Sequence, residues 1–104
     1  MNQDIQTRVA ELVQEHGLET DVASPLLDLV SEIGEVAKEV LKATGYGKSA
    51  FIPTAEWEQE LGDALFALIC VANTTGIDLD KALSGVLEKY RVRLQKKQDA
   101  GSGS

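Results

Sequence analysis

Cysteine, histidine and tryptophan occur once each in this chain, proline twice, and aromatic residues make up only 5% of it. A single thiol, Cys70, cannot close an intrachain disulfide, and inside an apolar run it reads as a small hydrophobe. One histidine, His16, excludes a carboxylate-bridged di-iron bundle, which needs Glu-x-x-His on two helices. No segment alternates as a half-buried strand would, and none repeats at solenoid spacing. No apolar stretch approaches the ~20 residues that cross a bilayer. The chain opens without a basic-then-apolar leader, so a cytoplasmic location is expected. Positive charge is scarce as well: 10 Lys and Arg face 17 Asp and Glu, a net charge of -7. That balance argues against duplex nucleic acid as a partner.

What is present suits one soluble globular domain, with 43% hydrophobic and 26% charged residues over 104 positions. Ile5, Val9, Leu12 and Val13 form the stripe of an amphipathic helix over residues 3–16, with Gly17 as terminator. After a connection over 18–23, Ser24 is a suitable N-cap and Pro25 a suitable first helical residue. The second helix is expected from Pro25 to about Thr44, and 45–53 is turn-rich and without period. Thr54 can cap a third helix that ends near Gly76, and Asp78 a fourth, with a weak staple between Ile77 and Ala82. The fourth carries Leu79, Leu83, Val86, Leu87, Tyr90 and Leu94 on one side. The expected fold is all-α, a four-helix bundle-like arrangement over residues 1–98. Residues 99–104, ending Gly-Ser-Gly-Ser, read as a flexible tail or expression remnant.

The third helix organises the rest. Ala64 to Ala72 is an unbroken apolar run, so as a helix it must be wrapped by others. Three amphipathic helices wrap it thinly, and a homo-oligomer with two-fold symmetry, a dimer or dimer of dimers, is expected to finish the job. Yet this apolar helix begins with two acids on one face, Glu60 and Asp63. Glu32 and Glu35 repeat the spacing on the second helix, within a stripe of Asp28, Glu32, Glu35 and Glu39 spanning about 60°. A solvated face suffices for Asp28 and Glu39. Four carboxylates converging in a cleft would repel one another and lose hydration, a cost that a divalent cation removes. Mg²⁺ takes one or two carboxylates and fills its other positions with water and phosphate oxygen.

Glu-x-x-Glu alone is common on surface helices. Followed after 24 residues by Glu-x-x-Asp at the mouth of an apolar helix, it is far more specific. Ser-Glu-Ile-Gly-Glu-Val-Ala-Lys-Glu-Val at 31–40 and Glu-Leu-Gly-Asp-Ala-Leu-Phe-Ala-Leu at 60–68 resemble the MazG-like branch of the all-α nucleoside triphosphate pyrophosphohydrolases. Ala-Asn-Thr-Thr-Gly-Ile-Asp-Leu-Asp-Lys-Ala-Leu at 72–83 is similar too. The resemblance covers 26–93. It implies Mg²⁺-dependent cleavage of a (deoxy)nucleoside triphosphate between the α and β phosphates, in nucleotide-pool housecleaning, with Mn²⁺ able to substitute. It implies Glu32, Glu35, Glu60 and Asp63 as metal ligands and catalytic residues, with Glu35 or Glu39 a candidate for orienting or deprotonating water. Lys89 and Arg93, one turn apart on the fourth helix, resemble the family's late basic positions and would bind phosphate. The family's frequent asparagine beside the late lysine is absent, since Glu88 and Tyr90 flank Lys89. Trp57, about 60° around the helix from Glu60, is a weaker candidate base contact. The competing reading is a non-catalytic acidic helical oligomerisation module, whose stability would ignore Mg²⁺ and Mn²⁺.

Overall fold

A computed structural model of the chain describes residues 4–102 and contains four α-helices: α1 Ile5–Glu15, α2 Ala23–Ala43, α3 Ala55–Thr74 and α4 Leu79–Ser102. The described residues contain no strand, as expected. The α4 helix runs on to Ser102 through part of the segment read as a tail, and residues 103 and 104 lie outside the described residues.

The helix starts differ from expectation in instructive ways. Asp4 caps α1, its carboxylate accepting from the Thr7 amide at 2.7 Å. That contact, chiefly, holds the Asp4 carboxyl below its ordinary value. The α2 helix begins two residues before Pro25, and Ser24 lies in its first turn instead of capping it. The Asp21 carboxylate accepts from the Ser24 amide at 3.1 Å. A charged acceptor at the positive end of the helix dipole has taken the role expected of the hydroxyl. Pro25 is buried and still costs no bond, because the first four helix amides have no intrahelical partner. Asp78 does cap α4, accepting from Asp80 and Lys81 at 3.0 and 3.2 Å.

Between α2 and α3 the chain turns around Thr44. Its hydroxyl donates to the Val40 carbonyl at 2.7 Å and accepts from the Gly47 amide at 3.0 Å. Its carbonyl receives the Lys48 and Ser49 amides at 2.8 and 3.0 Å. Gly45, Tyr46 and Gly47 all have positive φ (56°, 62° and 89°), so three residues in succession are left-handed. Phe51 then packs edge-on against Trp57, centroids 4.9 Å apart, and ties the loop to the first turn of α3.

The core lies on α3, where Ala67, Ile69 and Ala72 are buried. Within one chain this apolar run is covered even more thinly than three amphipathic helices would allow: Leu65, Phe66 and Leu68 stay 37–44% exposed. The reason is the path of α4. Only α1 and α2 pack extensively on α3, while α4 leaves it at 103°. The radius of gyration is consequently 18.2 Å, against about 13 Å for a compact chain of this length. No single described helix is long and apolar enough to cross a membrane.

Thr44→Val keeps the shape of the loop hub but leaves the Gly47 amide without its acceptor. A loss of about 1–2 kcal/mol in unfolding free energy is expected, read by urea denaturation.

Candidate metal centre

The site grows from the packing of α2 on α3. Asp28 is close enough to Cys70 to raise its pKa, and Glu32 lies beside Glu60 and Asp63. Rising numbers on one helix meet falling numbers on the other, so the two run antiparallel. Acids near the middle of α2 are thereby set against acids in the first half of α3. Glu32, Glu60 and Asp63 each offer a carboxylate oxygen within 4.8 Å of the other two. Glu32 and Glu60 are partly buried and Asp63 is exposed.

Glu60 feels this crowding most. Desolvation raises its pKa above the ordinary value, and Asp63, Glu32, Glu35 and Glu39 push it further in that order. No positive side chain contributes to offset them. The donor set suits a hard divalent cation, since every member is a carboxylate oxygen. Two oxygens bound to one Mg²⁺ at 2.0–2.1 Å lie at most about 4.2 Å apart. Small side-chain rotations would bring the three within that range.

Of the four acids expected to act together, three form the cluster and Glu35 stands just outside it, exposed and within electrostatic reach of Glu60. Glu39 has a larger part than a solvated face would give it, being partly buried and also acting on Glu60. The stripe it shares with Glu32 and Glu35 was the sequence signal for this. Lys89 and Arg93 are not brought to the acids within the chain. They sit on exposed α4 with their charges 5.2 and 5.8 Å from the Tyr90 ring centroid. Trp57 is partly buried against Phe51, one helical turn before Glu60.

Next to the acids, α1, α2 and α3 line an open cavity of about 610 Å³, whose walls include Val13, Pro25, Asp28, Phe66 and Cys70. Phe66 and Cys70 lie three and seven residues beyond Asp63 on α3, about 5 and 10 Å along the helix axis. Sequence periodicity marked these residues only as packing. Cys70 is a free thiol, its pKa pushed up by burial and then by the Asp28 charge.

An all-α chain with carboxylates clustered between two antiparallel helices is the setting in which the comparisons fall. Residues 21–97 match the model of the MazG nucleotide pyrophosphohydrolase domain, and the chain belongs to that family. Among curated proteins it is 39% identical over 66 residues to the uncharacterised protein YpjD of Bacillus subtilis strain 168. That segment is 62% of this chain and 60% of the relative's length. The crystal structure of YpjD from Bacillus subtilis, described as a candidate pyrophosphatase, superposes with a TM-score of 0.70 at 30% identity. It covers 89% of this chain and 99% of the other. A Bacillus-conserved MazG protein, described as a nucleotide pyrophosphohydrolase, gives a TM-score of 0.64 at 29% identity, covering 86% and 93%.

Because the folded state raises the pKa of Glu60, it holds that proton more tightly than the unfolded chain does. The stability this contributes is present below the ordinary value of 4.5 and is lost as pH rises through the raised value. Glu60→Gln should therefore raise the melting temperature of metal-free protein at neutral pH, with the gain shrinking on acidification. Thermal melts in EDTA across pH 4–8 measure it.

Proposed function

We propose that the chain is a divalent-metal-dependent nucleoside triphosphate pyrophosphohydrolase that releases a monophosphate and pyrophosphate. The observation that carries this reading is the approach of Glu32, Glu60 and Asp63 to within 4.8 Å, with Glu60 under uncompensated negative charge. In this reading those three residues and Glu35 hold Mg²⁺, which Mn²⁺ can replace. The ion supplies charge neutralisation on the phosphate oxygens and alignment of the attacking water with the leaving group.

The chain's own residues do the rest. Glu35, which stands outside the close cluster, or Glu39 orients or deprotonates water. Lys89 and Arg93 bind phosphate oxygens not neutralised at the acids. The nucleoside lies in the cavity beside Phe66, which is of a size to take it. The exposed part of Trp57 is the weaker candidate base contact. A broad or deoxynucleotide-directed housecleaning role in the cytoplasm completes this reading.

The chain works as a homo-oligomer, a dimer or dimer of dimers. Leu83, Leu87 and Leu94 on α4 are 50–60% exposed, and Leu65 and Leu68 on α3 are uncovered too. Around α4's stripe lie Lys89, Arg91, Arg93, Lys96 and Lys97, opposite in sign to the α2 acids. A second copy supplies both the apolar cover and the complementary charge. Leu87→Glu is expected to shift the protein toward monomer in sedimentation equilibrium.

A panel of ribo-, deoxyribo- and modified nucleoside triphosphates with Mg²⁺, read as pyrophosphate against orthophosphate, tests the activity. Asp63→Asn should lower pyrophosphate release by 100-fold or more with helicity intact, because a ligand charge is lost at constant volume. Arg93→Ala should mainly raise KM. A protein that releases no pyrophosphate from any of them, and whose melting temperature ignores Mg²⁺ and Mn²⁺, would instead be the non-catalytic oligomerisation module.

A further inference from the structure

Gln6 lies on α1, far in sequence from the elbow that joins α3 to α4, yet its side chain is spent almost entirely there. Its Nε2 donates to the Asn73 Oδ1 at 3.0 Å and to the Ile77 carbonyl at 2.8 Å. Its Oε1 accepts from the Leu79 amide at 2.6 Å. Asn73 returns a bond from Nδ2 to the Gln6 carbonyl at 3.1 Å. Both donors and one acceptor of the amide are thus committed, to the end of α3, the turn, and the first residue of α4.

The elbow needs such a bracket. Gly76 reverses the chain with φ 70°, and local bonds from Gly76 and Ile77 to Asn73 and Ala72 close the end of α3. Asp78 caps the start of α4. Each of these bonds stays within one helix end, and none sets the angle between the helices. Gln6 is bonded to both ends at once. From Asp80 to Gln98 α4 is exposed on every side and has little else to hold its direction.

The lever is long. Lys89 and Arg93 lie 10 and 14 residues beyond Leu79, about 15 and 21 Å along the axis. A swing of 10° at the elbow would move Arg93 by about 4 Å, more than a charge-assisted hydrogen bond tolerates. We propose that Gln6 is a positioning residue for substrate binding: its amide, bonded to Asn73, Ile77 and Leu79, fixes the angle between α3 and α4 and so aims Lys89 and Arg93, which do not meet the acids of their own chain, at a triphosphate held by the acids of a second copy. The inference rests on the assignment of those two bases to phosphate.

The test uses the full-length protein with Gln6→Leu, similar in volume and unable to hydrogen-bond. Gln6→Glu serves as a second variant, keeping the acceptor for Leu79 and losing the donors. Gln6→Leu is expected to raise KM for a nucleoside triphosphate roughly tenfold, the scale of one lost charge-assisted contact. The kcat should stay within about twofold, the Leu79 amide should exchange faster with deuterium, and Gln6→Glu should fall between. Combined with Lys89→Ala and Arg93→Ala, the Gln6→Leu effect on KM should vanish, because it acts through those residues. An unchanged KM, or an effect that adds in full to loss of the two bases, overturns the proposal. If removing the two bases alone leaves KM unchanged, the phosphate assignment fails separately. The exchange at Leu79 and the scattering radius of Gln6→Leu then decide whether Gln6 sets the elbow.

Discussion

Antiparallel packing of α2 on α3 is the constraint from which the rest follows. Together with α1 it buries the small residues Ala67 and Ala72 with Ile69, and in doing so leaves no freedom in where the acids go. Once the two helices are in register, Glu32 must face Glu60 and Asp63 whether or not a cation is there to reconcile them. The repulsion at Glu60 is therefore set by the fold. Hydrophobic burial along one pair of helices holds together charges that would separate if left to themselves.

The same helix serves two masters. The first half of α3 carries carboxylates and the second half carries the core, so a site and a scaffold share one rod about 30 Å long. Precision follows from this: a side chain on the rigid helix that also anchors the core moves little relative to its partner across the cleft. The cavity flanked by Phe66 and Cys70 continues along the same surface. Acids and cavity wall are thus presented by consecutive turns, with no loop between them.

Much of this was legible in the residues. Helical periodicity located all four helices, and helical spacing put Glu32, Glu60 and Asp63, three of the four acids singled out, on faces that meet, because a helix converts sequence interval directly into angle. Three things were not legible, each for a physical reason. Asp21 displaced Ser24 as the partner of α2's first amides because several polar residues stood within reach of one helix end, and pattern does not rank them. The α4 helix was expected among those wrapping α3 because composition reports what a surface needs, whereas the 103° departure of α4 decides what it receives. The Gln6 bracket spans 67 to 73 residues and joins one side chain to both a side chain and the backbone, so it leaves no periodic trace. Glu39 was an intermediate case, on the right stripe but not separable from solvated neighbours until its surroundings were known.

The loop that turns α2 into α3 is held by the sign of its torsions more than by what its side chains touch. Gly45 and Gly47 have open space where a Cβ would stand, so bulk alone would meet no obstacle there. Handedness would, since their φ values of 56° and 89° are costly for any residue with a Cβ. Tyr46 already bears that strain between them. The segment is thus permissive toward size and charge and intolerant of a change in backbone twist. Its outward chemistry can drift widely while its path, and the spacing of the two helices it joins, stays fixed.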